Sequence, residues 1–157
     1  EDLKALVNAF RDSFSDHYGW VEEPFEKDYE EFKHWFSTDK LFDPNLIFLA
    51  IDKKTDEIVG YVVGLKEEHG DPTVGFIELV GVRRAYRRKG LAQAMLNHAF
   101  NAFWERDQKS VMLGVDGDSL TNAVALYERV GMYIYHQYVR YEKLIRDGEE
   151  LATVAVE

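Results

Sequence analysis

The spacing of hydrophobic residues changes along the chain, and the changes mark its predicted elements. Over 2–14 and 25–36, apolar residues recur every three or four positions, which predicts two amphipathic helices joined by a polar-aromatic loop. Over 46–51, 57–65 and 73–82, the apolar residues are closely spaced and include many β-branched side chains, which predicts three strands. A polar turn between the first two strands favours a hairpin.

The second half of the chain continues this alternation. Helical spacing over 90–106 is followed by a short apolar run over 110–115, and the right-handed crossover rule predicts that this strand pairs in parallel with the strand before the helix. Helical spacing returns over 120–130 and stops at a glycine. Aromatic-rich runs over 132–135 and 138–144 predict two further strands. Together these elements predict a mixed α/β domain.

The junction between the third strand and the helix after it carries the clearest chemical signal. The strand ends at Val82, the following residues up to Lys89 are strongly basic, and Gly90 opens the helix. A helix N-terminus offers unpaired N–H groups and a partial positive charge, and a glycine lets a ligand approach the backbone closely. The junction therefore predicts an anion site, most plausibly for a pyrophosphate. Alternatively, Gly90 only allows the tight turn from strand to helix, and the basic residues are solvated. The order of residues matches neither a P-loop nor a dinucleotide-binding fingerprint.

Two motifs in this region resemble those of one enzyme family. Val82 followed by Arg87-Arg88-Lys89-Gly90-Leu91-Ala92 resembles the acyl-CoA-binding motif of the GCN5-related N-acetyltransferases, the GNAT family. The stretch from Asn122 to Met132 resembles the family's later helix, which ends in Leu-Tyr-x-x-x-Gly-Phe. Within the family, the chain looks most similar to the C-terminal domain of mycothiol synthase-like tandem acetyltransferases. It departs from the pattern where arginines replace the proline after Val82, where Ala92 replaces a common glycine and where Met132 replaces phenylalanine.

The resemblance implies an α/β (mixed α+β) GNAT fold, with 1–157 as a single domain. It implies a central mixed, twisted sheet of about six or seven strands flanked by about four helices, with a splayed cleft between the two central parallel strands. It also implies a β-bulge near Gly81 as the cause of the splay. Because the chain starts with Glu1 and lacks the strand that usually opens this fold, we expect a domain excised from a longer protein.

The resemblance further implies acetyl-CoA as co-substrate, with no metal. The backbone of the basic turn would hold the pyrophosphate with added charge from its cations, the preceding strand would face pantetheine, and an asparagine would hydrogen-bond CoA. The residues so assigned are Val80, Gly81, Val82, Arg87, Arg88, Lys89, Gly90, Leu91, Ala92 and Asn122. The asparagine could equally be a solvated residue of a first helical turn.

Two residues are predicted to be catalytic. Glu78 shares a strand face with Val80 and Val82 if the strand alternates regularly, and the resemblance implies that it is the general base, acting directly or through water. It could instead pair with a cation at the open edge of the cleft. Tyr127 matches the family's general acid for the CoA thiolate, although it could instead be a core tyrosine of an amphipathic helix.

The loop between the first two helices supplies candidate contacts to the acceptor. His17, Tyr18 and Trp20 lie where the resemblance places the variable acceptor side. The alternative is that the tyrosine and the tryptophan cap the core while the histidine is solvated. The sequence alone leaves both interpretations open.

Composition narrows the possible functions. The 157 residues carry a net charge of −10 and no cysteine. The charge argues against a nucleic-acid partner, and the lack of cysteine excludes a disulfide framework and a cysteine nucleophile. No apolar run is long enough for a membrane span and no signal peptide is visible, so we expect a cytoplasmic protein without a membrane partner.

These observations together predict an acetyl-CoA-dependent N-acetyltransferase that moves an acetyl group to a primary amine of a small molecule. One alternative acceptor is the N-terminal α-amine of a peptide or protein. The alternative from another functional class is a catalytically silent CoA-binding or scaffold domain. A second GNAT domain or a second copy of the chain would be the expected protein partner.

Overall fold

The computed structural model describes residues 2–116 and 123–148, in which helices cover both faces of a four-stranded sheet. The first half of the chain matches the sequence expectation closely, and the bounds of the first helix and the second strand are those predicted. The elements are α1 (Asp2–Phe14), α2 (Phe25–Thr38), β1 (Phe42–Asp52), β2 (Glu57–Leu65), β3 (Val74–Val82), a 3₁₀ turn (Arg84–Tyr86), α3 (Leu91–Trp104), β4 (Ser110–Leu113) and α4 (Ala123–Arg129).

The sheet has the order β1-β2-β3-β4 and is mixed. The first three strands form an antiparallel meander, and β4 pairs in parallel with β3, as the crossover rule predicts. The parallel pairing ends where Ile77 meets Leu113, whereas β3 continues to Val82. The two strands therefore separate over the last part of β3, and this separation opens a cleft at the sheet's edge.

The irregularity of β3 lies at Glu78 and not near Gly81, where it was expected. Val63 pairs with Leu79 and the next residue of β2 pairs with Ile77, so Glu78 is the extra residue of a bulge. Glu78 was predicted to share a strand face with Val80 and Val82 if β3 alternates regularly. This condition is not met, because the bulge at Glu78 interrupts the alternation.

One face of the sheet packs against α3. Leu46, Val62 and Ile77 of the sheet meet Leu96 and Phe103 of the helix, and each of these side chains is at most 2% exposed. Burying such a side chain stabilises the fold by about 1.5–3 kcal/mol. Leu126 and Tyr127 pack against the edge of this cluster and so attach α4 to the same face.

The opposite face packs against α1 and α2. Leu6 and Ala9 of α1 lie over Tyr61 and Val63 of β2. Aromatic residues of α1 and α2 complete this layer by ring-to-ring contacts, which are made by Phe10, Phe14, Phe32, Trp35 and Phe36. The helix pair therefore rests on the sheet through an apolar interface that ends, at Phe14, beside the cleft.

The predicted strands 132–135 and 138–144 are wrong. Residues 132–148 adopt no regular secondary structure, and their large apolar side chains are exposed, Tyr133 and Tyr141 among them. The expected sheet of six or seven strands is accordingly not found, because the described residues form four. An aromatic-rich run marks a chain that could form a strand, but a strand is stable only when it pairs and buries one face.

No helix within the described ranges is both long and apolar enough to cross a bilayer.

Candidate functional site

The basic turn folds around two residues with left-handed backbone geometry. Arg88 has φ of +59° and Gly90 has φ of +78°. Gly90 is the N-cap of α3, and its α-carbon faces open space, since a β-carbon there would meet no atom within 4 Å. Glycine adopts this geometry without steric cost, and its position leaves the start of α3 accessible. The N-terminus of α3 therefore has no side-chain cap and is accessible from the cleft.

A cavity of about 470 Å³ lies in front of this N-terminus. The N–H groups of the first helical turn have no partner within the helix, so they point toward this space. The cavity is lined by the end of α1 and the loop after it, the end of β3, the turn, the start of α3 and part of α4. Of the residues assigned to acetyl-CoA, those that line it are Val80, Gly81, Val82, Arg87, Arg88, Gly90, Leu91 and Ala92.

Arg87 is held in place by the protein itself. Its guanidinium donates to both carboxylate oxygens of Asp16, to the Ser13 carbonyl at 2.8 Å and to the Val82 carbonyl at 3.2 Å. Hydrogen bonding from Arg87 holds the pKa of Asp16 below its usual range. The charge of Arg87 is therefore largely neutralised by Asp16, whereas we expected Arg87 to add charge to the turn. Arg87 instead ties the turn to the end of α1.

The other cations of the site differ in where they lie. Lys89 does not line the cavity; its ammonium donates to the Ala85 carbonyl at 3.1 Å and sits 5.1 Å from the Tyr86 ring centre. Arg88 and Arg129 do line the cavity, are exposed, and form no ion pair with any residue that the structure describes. These two arginines, rather than Arg87, supply positive charge to the open space.

Gly81 lines the larger cavity at a position where a side chain would not fit. A β-carbon at this position would overlap the Tyr61 hydroxyl and approach the Ser13 hydroxyl oxygen to 2.7 Å. Those two hydroxyls are themselves hydrogen-bonded at 2.7 Å. Burial raises the pKa of Tyr61 far above its usual value, so this pair stays neutral. Glycine is therefore required here for packing beneath the cavity.

A second, smaller cavity of about 170 Å³ adjoins the first where β3 and β4 separate. It is lined from β3 by residues Ile77, Glu78, Leu79 and Val80, from the chain after β4 by Gly114, Val115 and Asp116, and from the other elements by Phe14, His17, Tyr18, Leu113, Ala123 and Tyr127. Four residues line both cavities: His17, Val80, Ala123 and Tyr127. The two cavities therefore share this part of their walls, which is called the junction below.

The predicted catalytic pair lies around this smaller cavity. Burial raises the pKa of Tyr127 above its ordinary value, so its phenol stays protonated at neutral pH. Glu78 lines only the smaller cavity, and its exposed side chain is solvent-accessible. Partial desolvation, with smaller contributions from Asp39 and Glu68, raises the pKa of Glu78. A phenol that can donate a proton and a carboxylate that binds protons more readily than usual thus border the same space.

The three candidate acceptor residues are not equivalent. His17 is half-buried at the junction, and Tyr18 is 57% exposed at the wall of the smaller cavity. Trp20 lies with the aromatic layer instead, since its ring is 5.7 Å from that of Phe10. The structure brings two of the three to the cavities.

Sequence reasoning missed other residues of the site. Asp16 and Ser13 line the larger cavity and anchor Arg87, but they lie more than 70 positions from it, so no local pattern could connect them. Arg129 had no signal either, since two positions from Tyr127 on a helix is nearly the opposite face. Asn122 lies outside the described residues. Within those residues, no group of three or more His, Cys, Asp or Glu could hold a metal ion.

Curated relatives cover most of this chain at modest identity. It is 26% identical over 99 residues to N-alpha-acetyltransferase 30 of Schizosaccharomyces pombe, covering 62% of this chain and 64% of that protein. It is 27% identical over 151 residues to the mycothiol acetyltransferase of Rhodococcus erythropolis, covering 92% of this chain and 48% of that protein. The chain thus spans about half to two thirds of the length of these relatives.

Solved structures and a family model agree with these relatives. The fold matches the crystal structure of a GCN5-related N-acetyltransferase from Sphaerobacter thermophilus with a TM-score of 0.66 and 32% identity, covering 84% of this chain and 38% of that one. The model of the acetyltransferase (GNAT) family matches residues 3–132, which include every described residue that lines the two cavities. A match over so much of the chain establishes that it belongs to the acetyltransferase (GNAT) family.

Proposed function

We propose that this chain is an acetyl-CoA-dependent N-acetyltransferase that transfers the acetyl group directly to a primary amine of a small molecule. The observation that carries the proposal is the junction of the two cavities at Val80 and Tyr127. A thioester that enters through the larger cavity and an amine that enters through the smaller one would meet there. Direct transfer needs such a meeting point, because both substrates must be bound at once.

The larger cavity suits the anionic half of acetyl-CoA. The unpaired N–H groups at the start of α3 can donate to a pyrophosphate, and the helix dipole favours negative charge there. Arg88 and Arg129 add two exposed positive charges on the walls. The outer edge of β3 beyond Ile77 has no strand partner among the described residues, so its backbone near Val80 can bind an extended pantetheine arm, whereas the Val82 carbonyl already accepts from Arg87.

Tyr127 and Glu78 divide the proton transfers of this proposal. The thiolate that leaves when the C–S bond breaks needs a proton, and the neutral phenol of Tyr127 is placed at the junction to give it. An acceptor ammonium must lose a proton before its nitrogen can attack. Glu78 would act as the base for that proton through a water molecule, because it lines the smaller cavity without reaching the larger one.

The identity of the acceptor rests on size and charge. A cavity of about 170 Å³ with the exposed carboxylate of Glu78 on its wall suits a compact cation better than a bulky group. The mycothiol acetyltransferase relative, which aligns over nearly the whole chain, supports a small-molecule acceptor. The N-alpha-acetyltransferase relative supports the second candidate, a peptide α-amine, since only its first residue would need to enter the smaller cavity.

Acetyl-CoA binding tests the cofactor half of the proposal. Calorimetry is performed on the unaltered chain, on Gly90→Asp and on Gly90→Asn, which have the same shape and differ by one charge. Both residues tolerate positive φ and cap helices, so both variants are expected to fold. We expect Gly90→Asp to weaken binding about tenfold more than Gly90→Asn, because its carboxylate would face the pyrophosphate. Equal affinities would reject this site.

An amine panel tests the reaction. Release of free thiol from acetyl-CoA is followed with glucosamine, spermidine, kanamycin and a short peptide, with the N-acetylated peptide as a blank. Acceleration by one of the small amines supports the proposal, and acceleration by the free peptide alone supports the second candidate. Binding of acetyl-CoA without release in any reaction would leave a silent CoA-binding domain.

A further inference from the structure

We propose that His17 is a catalytic residue of this site and takes the proton from the attacking nitrogen while the C–N bond forms. The inference rests on the proposed function and extends it to a residue outside the motifs of the basic turn and α4. Among the described residues, His17 and Tyr127 are the two titratable side chains that line both cavities. Groups that touch the reacting atoms must lie where the two cavities meet.

The backbone around His17 holds it at this junction. Its N–H donates to the Phe14 carbonyl at 2.8 Å, and its own carbonyl accepts from the Trp20 N–H at 3.2 Å. Its ring centre lies 4.2 Å from that of Phe14, the last residue of α1. The preceding residue, Asp16, is fixed to Arg87 of the basic turn by two hydrogen bonds. The loop is therefore anchored on both sides of the imidazole.

The surroundings of His17 keep it neutral. Desolvation lowers its pKa, Arg87 of the turn lowers it further, and Asp16 opposes both with a smaller effect than desolvation. The other charged or titratable groups on the walls that His17 shares are Tyr18 of the same loop, Glu78 of β3, Asp116 after β4, Tyr127 and Arg129 of α4, and Tyr86 and Arg88 of the turn. A neutral imidazole has a free lone pair, which a proton acceptor requires.

The proposed step balances with Glu78 and Tyr127 in the roles given above. One ammonium proton leaves through water to Glu78 and then to solvent. The amine lone pair forms the C–N bond to the thioester carbonyl carbon, and a second nitrogen proton passes to His17. The C–S bond breaks, the sulfur takes its electron pair and receives the proton of Tyr127. The imidazolium then returns its proton to the phenolate, so both residues are restored.

The test compares His17→Gln with His34→Gln, whose histidine is exposed on α2 and lines neither cavity. With the best amine of the panel, we expect kcat to fall about 100-fold in His17→Gln and to be unchanged in His34→Gln. The Kd for acetyl-CoA, measured by calorimetry, should stay within about twofold in both variants, since the imidazole serves the reaction and not the pyrophosphate.

The pH profile separates a catalytic role from a structural one. Activity requires neutral His17, so kcat/KM of the unaltered chain should fall as the pH drops through a value below 6.5. This fall should disappear in His17→Gln and persist in Glu78→Gln. Titration of the imidazole C2 proton by NMR, assigned by its absence in His17→Gln, should give the same pKa without any acceptor.

The outcomes distinguish the two proposals. An active unaltered chain whose His17→Gln variant retains both its kcat and the acidic fall would overturn the role of His17 and leave the proposed function intact. An unaltered chain that acetylates no amine would overturn the proposed function, and this inference with it. An NMR pKa above 6.5 would also contradict the proposal, since it would show that the surroundings of His17 do not lower the pKa of the imidazole.

Discussion

The two cavities of this protein are built in different ways. Most of the larger one comes from a continuous stretch of chain, residues 80–93, in which a strand end, a turn and a helix N-terminus follow one another. The smaller one is assembled from four separate segments: the end of α1 and its loop, the bulged part of β3, the chain after β4, and α4. One cavity relies largely on the backbone, whereas the other relies on side chains.

This difference teaches how the domain can combine a constant reaction with a variable acceptor. Backbone N–H groups bind an anion whatever the side chains are, so we expect anion binding in the larger cavity to tolerate substitutions as long as Gly81 and Gly90 are kept. An exposed wall side chain such as Tyr18 is expected to be replaceable without altering the fold that presents it. We therefore expect the proposed transfer to depend most on the residues common to both cavities.

Replacing Tyr127 by phenylalanine should have the largest effect on this comparison. The variant keeps the ring that packs at the edge of the α3 core and removes only the hydroxyl. We expect kcat to fall about 100-fold, as for loss of a general acid, with little change in the KM for acetyl-CoA. Steady-state kinetics measure both, and Tyr141→Phe, at a residue that is 92% exposed, is the control.

A fall in acetyl-CoA affinity without a fall in kcat would contradict this expectation. It would mean that Tyr127 helps to bind acetyl-CoA but does not act as the proton donor of the reaction. Because the pKa of Tyr127 is raised, its own ionisation should not limit kcat anywhere below pH 10.

Asp16→Asn tests the link between the two halves and should have an intermediate effect. The Asp16–Arg87 pair joins the loop after α1 to the basic turn. The side chains of Asp16 and Arg87 are only 15% and 28% exposed. We expect the free energy of unfolding to fall by about 2 kcal/mol at pH 7, measured by urea denaturation. Asp12→Asn is the matched control, because its contacts with Arg83 and Arg84 are longer, at 3.3 and 3.7 Å, and more exposed.

The effect of Asp16→Asn should depend on pH in a defined direction. The pKa of Asp16 is lower in the folded protein than its usual 3.8, so its ionised form stabilises the fold above that value. As the pH falls below 3.8 and through the folded pKa, this contribution is lost and the difference between the unaltered chain and the variant should shrink. A difference that persists unchanged at pH 2 would assign it to packing.

The sequence predicted the larger cavity well because its determinants are local. Strand, basic turn, Gly90 and helix follow one another, and the hydrophobic spacing, the run of basic residues and the glycine together located them. The bulge was misplaced because a register depends on the partner strand: only the pairing of β2 with β3 puts the extra residue at Glu78. Arg87 was misjudged for the same reason, since its partner Asp16 is distant in the sequence.

The C-terminal aromatic runs show the same limit. Their composition is typical of strands, yet Tyr133, Ile134 and Tyr138 remain exposed in a segment without regular structure. An aromatic-rich composition predicts which residues favour an extended chain, but it does not supply a partner strand. The loop between α1 and α2 was predicted in part. Its position followed from the sequence, but only the folded structure shows that His17 and Tyr18 line a cavity and that Trp20 does not.

The smallest effect is expected for Arg129→Gln. This variant tests how much a side chain contributes to the larger cavity, whose anion site is attributed mainly to backbone N–H groups. This exposed arginine lies on α4, across the cavity from the start of α3. If the cavity holds its anion mainly through backbone groups, Arg129→Gln should weaken acetyl-CoA binding only about two- to fivefold at low salt. The loss should diminish at high salt, where exposed charges are screened. Calorimetry at two salt concentrations measures this, with Arg140→Gln, which lines neither cavity, as control. A loss of a hundredfold or more would mean that side-chain charge rather than the helix N-terminus dominates, and the larger cavity would then be no less dependent on its side chains than the smaller one.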